Sequence, residues 1–513
     1  VASQLPGLRP ATARSSCQLI GVLSTTPDIL RAGPSTRWLG NWGNLLLWGG
    51  FGFIFLILLY ITWAAPEILP FLPVVFVAGA VAIILFRYPL LNLAAVMCGF
   101  VLIVGFSAGL GIFEALYGLY YLSFLAYWFF TRAILNGETI CRRREERVLL
   151  LFLILATATV PLSFVFGAIP SFVMGEWLSL TMLGFYWPIR EAIEKHPKGL
   201  RVVLGCVIFV GLYVLARNLL EYRSDLANAE ALWQIAASRA IANESLLMIP
   251  ALFSVALFLR TKSWQGRAFF LATVLGLFAG LILTQSRAYW VAFFFGAGIT
   301  FLFVPVKDKV RMLTVGILSA AGIFTLAYVV LGEYLLLVLS GLLDRFLTLE
   351  TAVTKDISLI NRFLEAQGVW EHIKVNPILG YGMGVPYRFF NITYLYSEEK
   401  TFVHNGYVAL WFKFGIWGTG MMLFLMVRFW MMSFGTWWKK LAAPVPAIVS
   451  LAATGAISAL AVTATTANPF YQNDLMFMYA ALWGIVGGIR ARGERKTMIT
   501  QASSPAHHTG PPE

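Results

Sequence analysis

Runs of about twenty apolar residues recur from Leu45 to Ile489, broken only by short polar stretches. A helix of roughly 20 apolar residues spans a bilayer core of about 30 Å. Repetition of that length along most of a chain leaves little choice of fold: the runs are membrane-crossing helices. Composition agrees, with 59% hydrophobic and 12% charged residues, about half the charged share of a soluble domain. The sequence therefore predicts an all-α integral membrane protein rather than a soluble enzyme. Counting domains by length fails here, because lipid takes the place of a buried core.

The candidate spans are 45–65, 68–86, 89–109, 111–131, 148–166, 170–188, 201–217, 245–260, 268–285, 288–306, 312–335, 406–431, 446–466 and 474–490. The breaks near 109–111 and 166–170 are tight, which gives about 12–14 transmembrane helices. The expected organisation is a tail at 1–44, eleven spans within 45–335, a large outer loop at 336–405, three spans within 406–490, and a polar, disordered tail at 491–513. No signal-peptide pattern opens the chain.

The net charge of +13 does not point to nucleic acid. The basic residues are scattered among short loops, with no basic face and no interleaved aromatics. Their distribution follows the positive-inside rule. With both termini cytoplasmic, most of the 38 Lys and Arg residues fall in inner segments, and each inner connection holds at least one. The predicted location is a bacterial inner membrane, with 218–244 and 336–405 outside. Cys17, Cys98, Cys141 and Cys206 form no CxxC pair, so no metal or redox motif is read. None lies in a segment placed outside, so no disulfide is expected. With no Asp-x-Asp pair and no His/Cys cluster at ligand spacing, no metal or other cofactor is required.

A 70-residue connection is too long to be passive. Within it, Leu359, Phe363, Ala366, Trp370 and Ile373 recur at helical steps, which predicts a helix from Ser358 to Lys374. Arg362 and Glu365 lie off that stripe, and their i,i+3 spacing suits a simple ion pair. Asn376-Pro377 ends the helix. Gly380, Gly382 and Gly384 follow; a tight turn explains them better than a phosphate cradle. The loop closes at His404-Asn405-Gly406, at the mouth of the next span.

Arg287, in Thr284-Gln285-Ser286-Arg287, stands between two spans with almost no loop. A guanidinium there is costly unless paired or wet, which marks a functional candidate; snorkelling to lipid phosphates is the plain alternative. A lone His404 is ordinarily structural, although a histidine can act as a general base. Asp474 reads as a helix cap, and Glu114 as interfacial. Charge counting places Arg287, Arg362 and His404 on one side of the membrane. Two arginines suit a diphosphate, each offering a planar fork of donors. A histidine can take the proton of an attacking hydroxyl. Ser286 and Asn405 add polar groups beside them. Trp370, Tyr381, Tyr387, Tyr394 and Tyr396 offer flat faces for sugar rings or, equally, interface anchors.

Thr284-Gln285-Ser286-Arg287-Ala288 resembles the Ser-Arg element of the O-antigen ligase and polymerase family. Asn361-Arg362 with Trp370, Asn376-Pro377-Ile378-Leu379-Gly380-Tyr381-Gly382, His404-Asn405-Gly406-Tyr407 and Gly415-Ile416-Trp417-Gly418 resemble that family's outer loop in order and spacing, over roughly residues 245–430. The resemblance implies a GT-C-like membrane glycosyltransferase that needs no nucleotide or metal. It would use an undecaprenyl-diphosphate-linked glycan as donor and lipid A core, another glycan or a protein as acceptor. The implied catalytic residues are Arg287, Arg362 and His404, with Ser286, Gly380, Gly382, Asn405 and Trp370 binding substrate. The alternative reading is a polytopic transporter or flippase of lipid-linked glycans. Mid-depth charges and half-to-half repeats would favour it, and neither is evident. A structural scaffold would tolerate loss of all three candidate residues.

Overall fold

The computed structural model describes residues 83–102, 112–228, 243–331, 357–470 and 472–503, with Val81 and Ser340. The tail at 1–44, the span at 45–65 and most of that at 68–86 lie outside the described residues. So do 229–242 of the smaller outer segment, most of 336–356 in the larger one, and 504–513. Residues 85–513 form one compact unit. Residues 1–84 form another, of which only Val81, Ile83 and Ile84 are described.

The chain runs through α1 (Pro89–Gly99), α2 (Ile112–Phe129), α3 (Arg144–Val165), α4 (Pro170–Thr181), α5 (Tyr186–Lys195), α6 (Gly199–Ala227) and α7 (Glu244–Arg260). It continues through α8 (Trp264–Leu283), α9 (Arg287–Phe303), α10 (Val306–Leu331) and α11 (Ile357–Val375). A hairpin of β1 (Tyr387–Asn391) and β2 (Tyr396–Lys400) follows, then α12 (Gly406–Trp438), α13 (Pro444–Thr463) and α14 (Asn473–Ser503). Helices α3, α6, α8, α12 and α13 are long and apolar enough to cross a membrane, and α1 and α9 are shorter apolar helices. The protein is an all-α membrane protein.

Helix α14 is the axis of the bundle: every residue from Asp474 to Ile489 is buried. A helix apolar on all sides has no solvent face to offer, and it settles in the centre. Around it α13 supplies a surface of small residues, buried from Ala447 to Leu460. Small residues let helix backbones approach closely in lipid, where packing rather than water release drives association. At the crossing of α9 and α13, a Cβ on Gly296 would lie 2.7 Å from the Gly455 carbonyl oxygen. The rim behaves oppositely: Leu151 and Ile154 of α3 and Ile317 and Leu318 of α10 are exposed, as lipid-facing residues should be.

Ion pairs fix two polar ends. At one, Arg190 pairs with Glu146 at 2.6 Å, Arg428 with Glu145 at 3.3 Å, and Arg260 with Asp308 at 2.9 Å. At the other lie the α3–α4 turn, the described part of the large loop, and the start of α14, where Asp474 accepts from Ser245 Oγ at 2.8 Å. Asp474 sits in the first turn of its helix, as the cap reading expects, and also ties α14 to α7. Helix α9 runs antiparallel to α13. Its last residue, Phe303, packs on Phe434 and Trp438 near the far end of α12, 4.8 and 6.4 Å between centroids. Arg287, at its first turn, therefore lies at the end where α13 finishes.

Several boundaries depart from the sequence reading. The run expected to span at 170–188 breaks into α4, a 3-10 turn at Met182–Phe185, and the short amphipathic α5. Hydropathy averages over such a break. Helix α14 continues to Ser503, through residues 491–503 for which composition predicts disorder. Glu494 secures that stretch by pairing with Arg143 at 2.5 Å and Arg490 at 2.9 Å. The outer loop is not wholly helical, since it carries the β1–β2 hairpin, paired Tyr387 to Lys400 through Asn391 to Tyr396.

The α9–α13 crossing yields a stability test. Gly296→Leu forces two backbones apart and should cost about 1–3 kcal/mol, the usual penalty of overpacking. It should lower the thermal midpoint in detergent, whereas Gly298→Leu, where an added Cβ meets nothing within 4 Å, should leave it near wild type.

Candidate functional site

The geometry of the large loop is set by an interruption in α12. Gly415 adopts φ 60°, ψ −167° inside that helix, a conformation open to glycine and strained for other residues. A continuous helix would bond the Phe412 carbonyl to residue 416. Here the Ile416 amide donates to the Pro377 carbonyl instead, at 3.0 Å. The carbonyls of Phe412 and Lys413 accept from the amides of Tyr381 and Gly382 at 2.8 and 2.9 Å. The broken helix thus holds the loop through its own backbone.

Residues 380–384 form the tight turn favoured above. Gly380, Gly382 and Gly384 all have positive φ, at 73°, 86° and 67°. The Met383 amide donates to Ser163 Oγ at 2.8 Å and the Gly384 amide to Glu176 Oε1 at 3.2 Å. Glu176 also pairs with Lys413 at 2.5 Å, both side chains almost fully buried. The amides of 381–384 are taken by protein partners, and the positive φ of Gly380 and Gly382 allows close packing against Ser163 and the α12 break.

Helix α11 lies over this platform. Glu365 is buried, 2% exposed, and not the ion-pair partner of Arg362 that i,i+3 spacing suggests. One carboxylate oxygen accepts from Tyr387 Oη at 2.6 Å and the other meets His404 Nδ1 at 2.6 Å. An ionised carboxylate can only accept, so Nδ1 is the ring nitrogen that donates to Glu365, and Nε2 is left for other partners. Tyr387 Oη, which also contacts the Phe402 carbonyl at 2.7 Å, holds the carboxylate from below, and Phe402 packs edge-on against the imidazole at 4.9 Å. The imidazole remains about one-third exposed. This base-plus-orienter geometry is the general form of an activated catalytic histidine. Glu365 is the functional candidate that sequence reasoning missed; its position off the apolar stripe marked it, and the wrong partner was assigned.

The turn after α13 connects the other candidates. Arg362 Nη1 donates to the Thr466 carbonyl at 2.9 Å, and Asn405 Nδ2 to the Thr465 carbonyl at 3.1 Å. The Gly406 amide donates to the Ala464 carbonyl at 2.9 Å. Three consecutive carbonyls thus bring Arg362 to the neighbourhood of His404. Asn405 also caps α12, its side chain accepting from the Val408 amide at 3.1 Å. Both polar atoms of its side chain thus have protein partners.

Arg287 opens α9 at this same end. Gln285 before it has φ 54°, a left-handed conformation that costs a non-glycine residue about 1–2 kcal/mol. Thr284 and Trp290 brace the turn: Thr284 Oγ1 accepts from the Ser286 amide at 3.3 Å, and Trp290 Nε1 donates to the Leu281 carbonyl at 2.9 Å. Ser286 is the N-cap residue but makes no side-chain cap. A helix N-terminus already carries partial positive charge, so an arginine there is electrostatically disfavoured. The combination suits an anion. Trp370 is 42% exposed, edge-on to Trp411 at 5.5 Å. Tyr394 and Tyr396 stack at 5.9 Å, both exposed. Tyr387 is buried and unavailable to a sugar. Among the described residues no group of three or more His, Cys, Asp or Glu side chains clusters to hold a metal.

Fold and local geometry together define a polytopic helical membrane protein with a His404–Glu365 pair on the loop that leads into α12. Residues 271–423, from within α8 to mid-α12, match the family model described as O-antigen ligase. No curated protein matches the chain.

Removing one member of a buried ion pair costs about 3–5 kcal/mol, whereas replacing both with apolar residues is often neutral. Lys413→Ala should therefore lower the thermal midpoint strongly and make the 376–384 segment protease-sensitive. The double variant Lys413→Met/Glu176→Leu should recover most of the midpoint.

Proposed function

We propose that the protein transfers a glycan from undecaprenyl diphosphate to an acceptor hydroxyl on the periplasmic side of the bacterial inner membrane. The observation that carries this reading is the His404–Glu365 pair, which fixes the imidazole at one polar end of the bundle, the end to which Arg362 is tied through the Thr466 carbonyl. The O-antigen ligase match supports a membrane glycan ligase or polymerase in general.

In this reading the polyprenyl tail lies in lipid and the diphosphate sits at the polar end. The acceptor oxygen attacks the anomeric carbon of the donor sugar. The bond from that carbon to the phosphate oxygen breaks, and the electron pair leaves with the diphosphate. The hydroxyl proton passes to His404 Nε2, and Glu365 stabilises the imidazolium that forms. Arg287, with the α9 N-terminus behind it, and Arg362 neutralise charge on the leaving diphosphate. Trp370, Tyr394 and Tyr396 offer ring faces to sugars. Lipid A core, another glycan or a protein can supply the hydroxyl; the acceptor decides whether the enzyme is a ligase or a polymerase. No nucleotide or metal takes part in this scheme.

Preorganised charge stabilisation of one oxyanion donor is worth about 2.7–4 kcal/mol, or about 10²–10³ in rate. Arg287→Ala and Arg362→Ala should each reduce glycan transfer by about that factor in a reconstituted assay while membrane insertion stays normal. His404→Ala should lose at least as much. Near-normal transfer by any of the three removes that residue from the mechanism. Glu365→Gln keeps the shape and removes the charge; transfer should fall by roughly 10²–10⁴, the range of general-base catalysis, with an altered pH profile. An unchanged rate and profile would leave His404 without its orienting partner.

A further inference from the structure

The end of the bundle opposite His404 holds a second cationic feature that glycan transfer does not use. Helix α12 is 33 residues long, roughly 50 Å at 1.5 Å per residue. His404 adjoins its start and Lys439-Lys440 follow its end. A cavity of about 540 Å³ opens there, lined by Arg260, Trp437, Trp438, Lys440, Pro444 and Ala447.

Its charge is one-sided. Arg260 pairs with Asp308 at 2.9 Å. Arg311 stands close enough to feel Asp308, Arg260 and Arg267 together, and lies over the Phe258 ring at 4.6 Å. One carboxylate thus faces three guanidinium groups. Among the described residues neither Lys439 nor Lys440 has an ion-pair partner. Lys440 takes φ 51° as the left-handed residue that ends α12. The walls are apolar: Trp438 is 65% exposed and continues a stacked aromatic ladder with Phe434 and Trp430, 5.7 and 5.4 Å between rings. Tryptophan at that depth marks the headgroup level of a bilayer. Basic pockets between membrane helices at that level recognise anionic headgroups.

We propose that this cavity binds an anionic phospholipid, its phosphate between Arg260 and Lys440 and one acyl chain along Trp438, Pro444 and Ala447. Charge complementarity and the apolar wall select this occupant. A zwitterionic lipid carries a compensating cation, and a free phosphate has nothing to lay on the tryptophans. The site faces the leaflet opposite His404, so a donor lipid engaged there does not compete for it.

Native mass spectrometry of the full chain in mild detergent, mixed with equal amounts of phosphatidylglycerol and phosphatidylcholine, tests this. The wild-type protein should retain phosphatidylglycerol preferentially. Lys440→Gln, at an exposed position, should cut that retention about fivefold, the factor equivalent to roughly 1 kcal/mol per basic residue at a membrane surface. Trp438→Ala should weaken retention of the lipid as a whole. Excess inorganic phosphate should not displace phosphatidylglycerol; displacement would make this a free-anion site and overturn the proposal. Equal retention of both lipids by the wild-type chain, or unchanged retention by Lys440→Gln, would also overturn it.

Discussion

Charge cannot be left in hydrocarbon without a partner, and that constraint organises the molecule. The described ionic groups gather at two ends of the bundle, joined by helices whose side chains are almost wholly apolar. The exception is the Glu176–Lys413 pair, whose cost is offset because each charge answers the other and Glu176 also takes a loop amide. Two ionic groups that would be a liability alone become the fastening between α4, α12 and the outer loop.

That fastening also explains how His404 is held in place. A side chain on a long loop keeps a fixed geometry only on a rigid support. Here the support is the opened turn of α12, the glycine turn locked into it, and α11 laid over both. Glu365 and Tyr387 come from this assembly, so the orientation of the His404 ring is set by packed backbone. Arg362 and Arg287 enter from α11 and α9 and are referred to the same end through the close of α13.

Much of this was legible in the sequence because the bilayer imposes a strong period and a strong sign. The apolar runs located α3, α7, α8, α9 and α13 to within about four residues and the start of α12, though α12 runs on to Trp438, and Asn376-Pro377 marked the end of α11. The ordered motifs between Thr284 and Gly418 pointed to the O-antigen ligase family, which the match over 271–423 bears out. What failed depended on contacts that no local pattern encodes. The break after Thr181 hides in an apolar run, and the helix beyond Arg490 hides in a polar one because its partner, Arg143, is distant in sequence. Glu365 was seen and given its nearest cation in sequence, when its true partner lies 39 residues away. The glycine turn was read correctly as a turn, but its amides face α12, α3 and α4, which only tertiary structure could reveal.

The hairpin is attached to the rest of the loop on one side only. Tyr387, Phe389 and Asn391 of β1 face inward, while β2 is largely exposed and its Arg388–Glu399 tie lies on the surface. Substitutions along that outer strand leave untouched the contacts that seat β1 on α11, such as Asn361 to Asn391. The loop can therefore change its outer face without loosening the packing that anchors it.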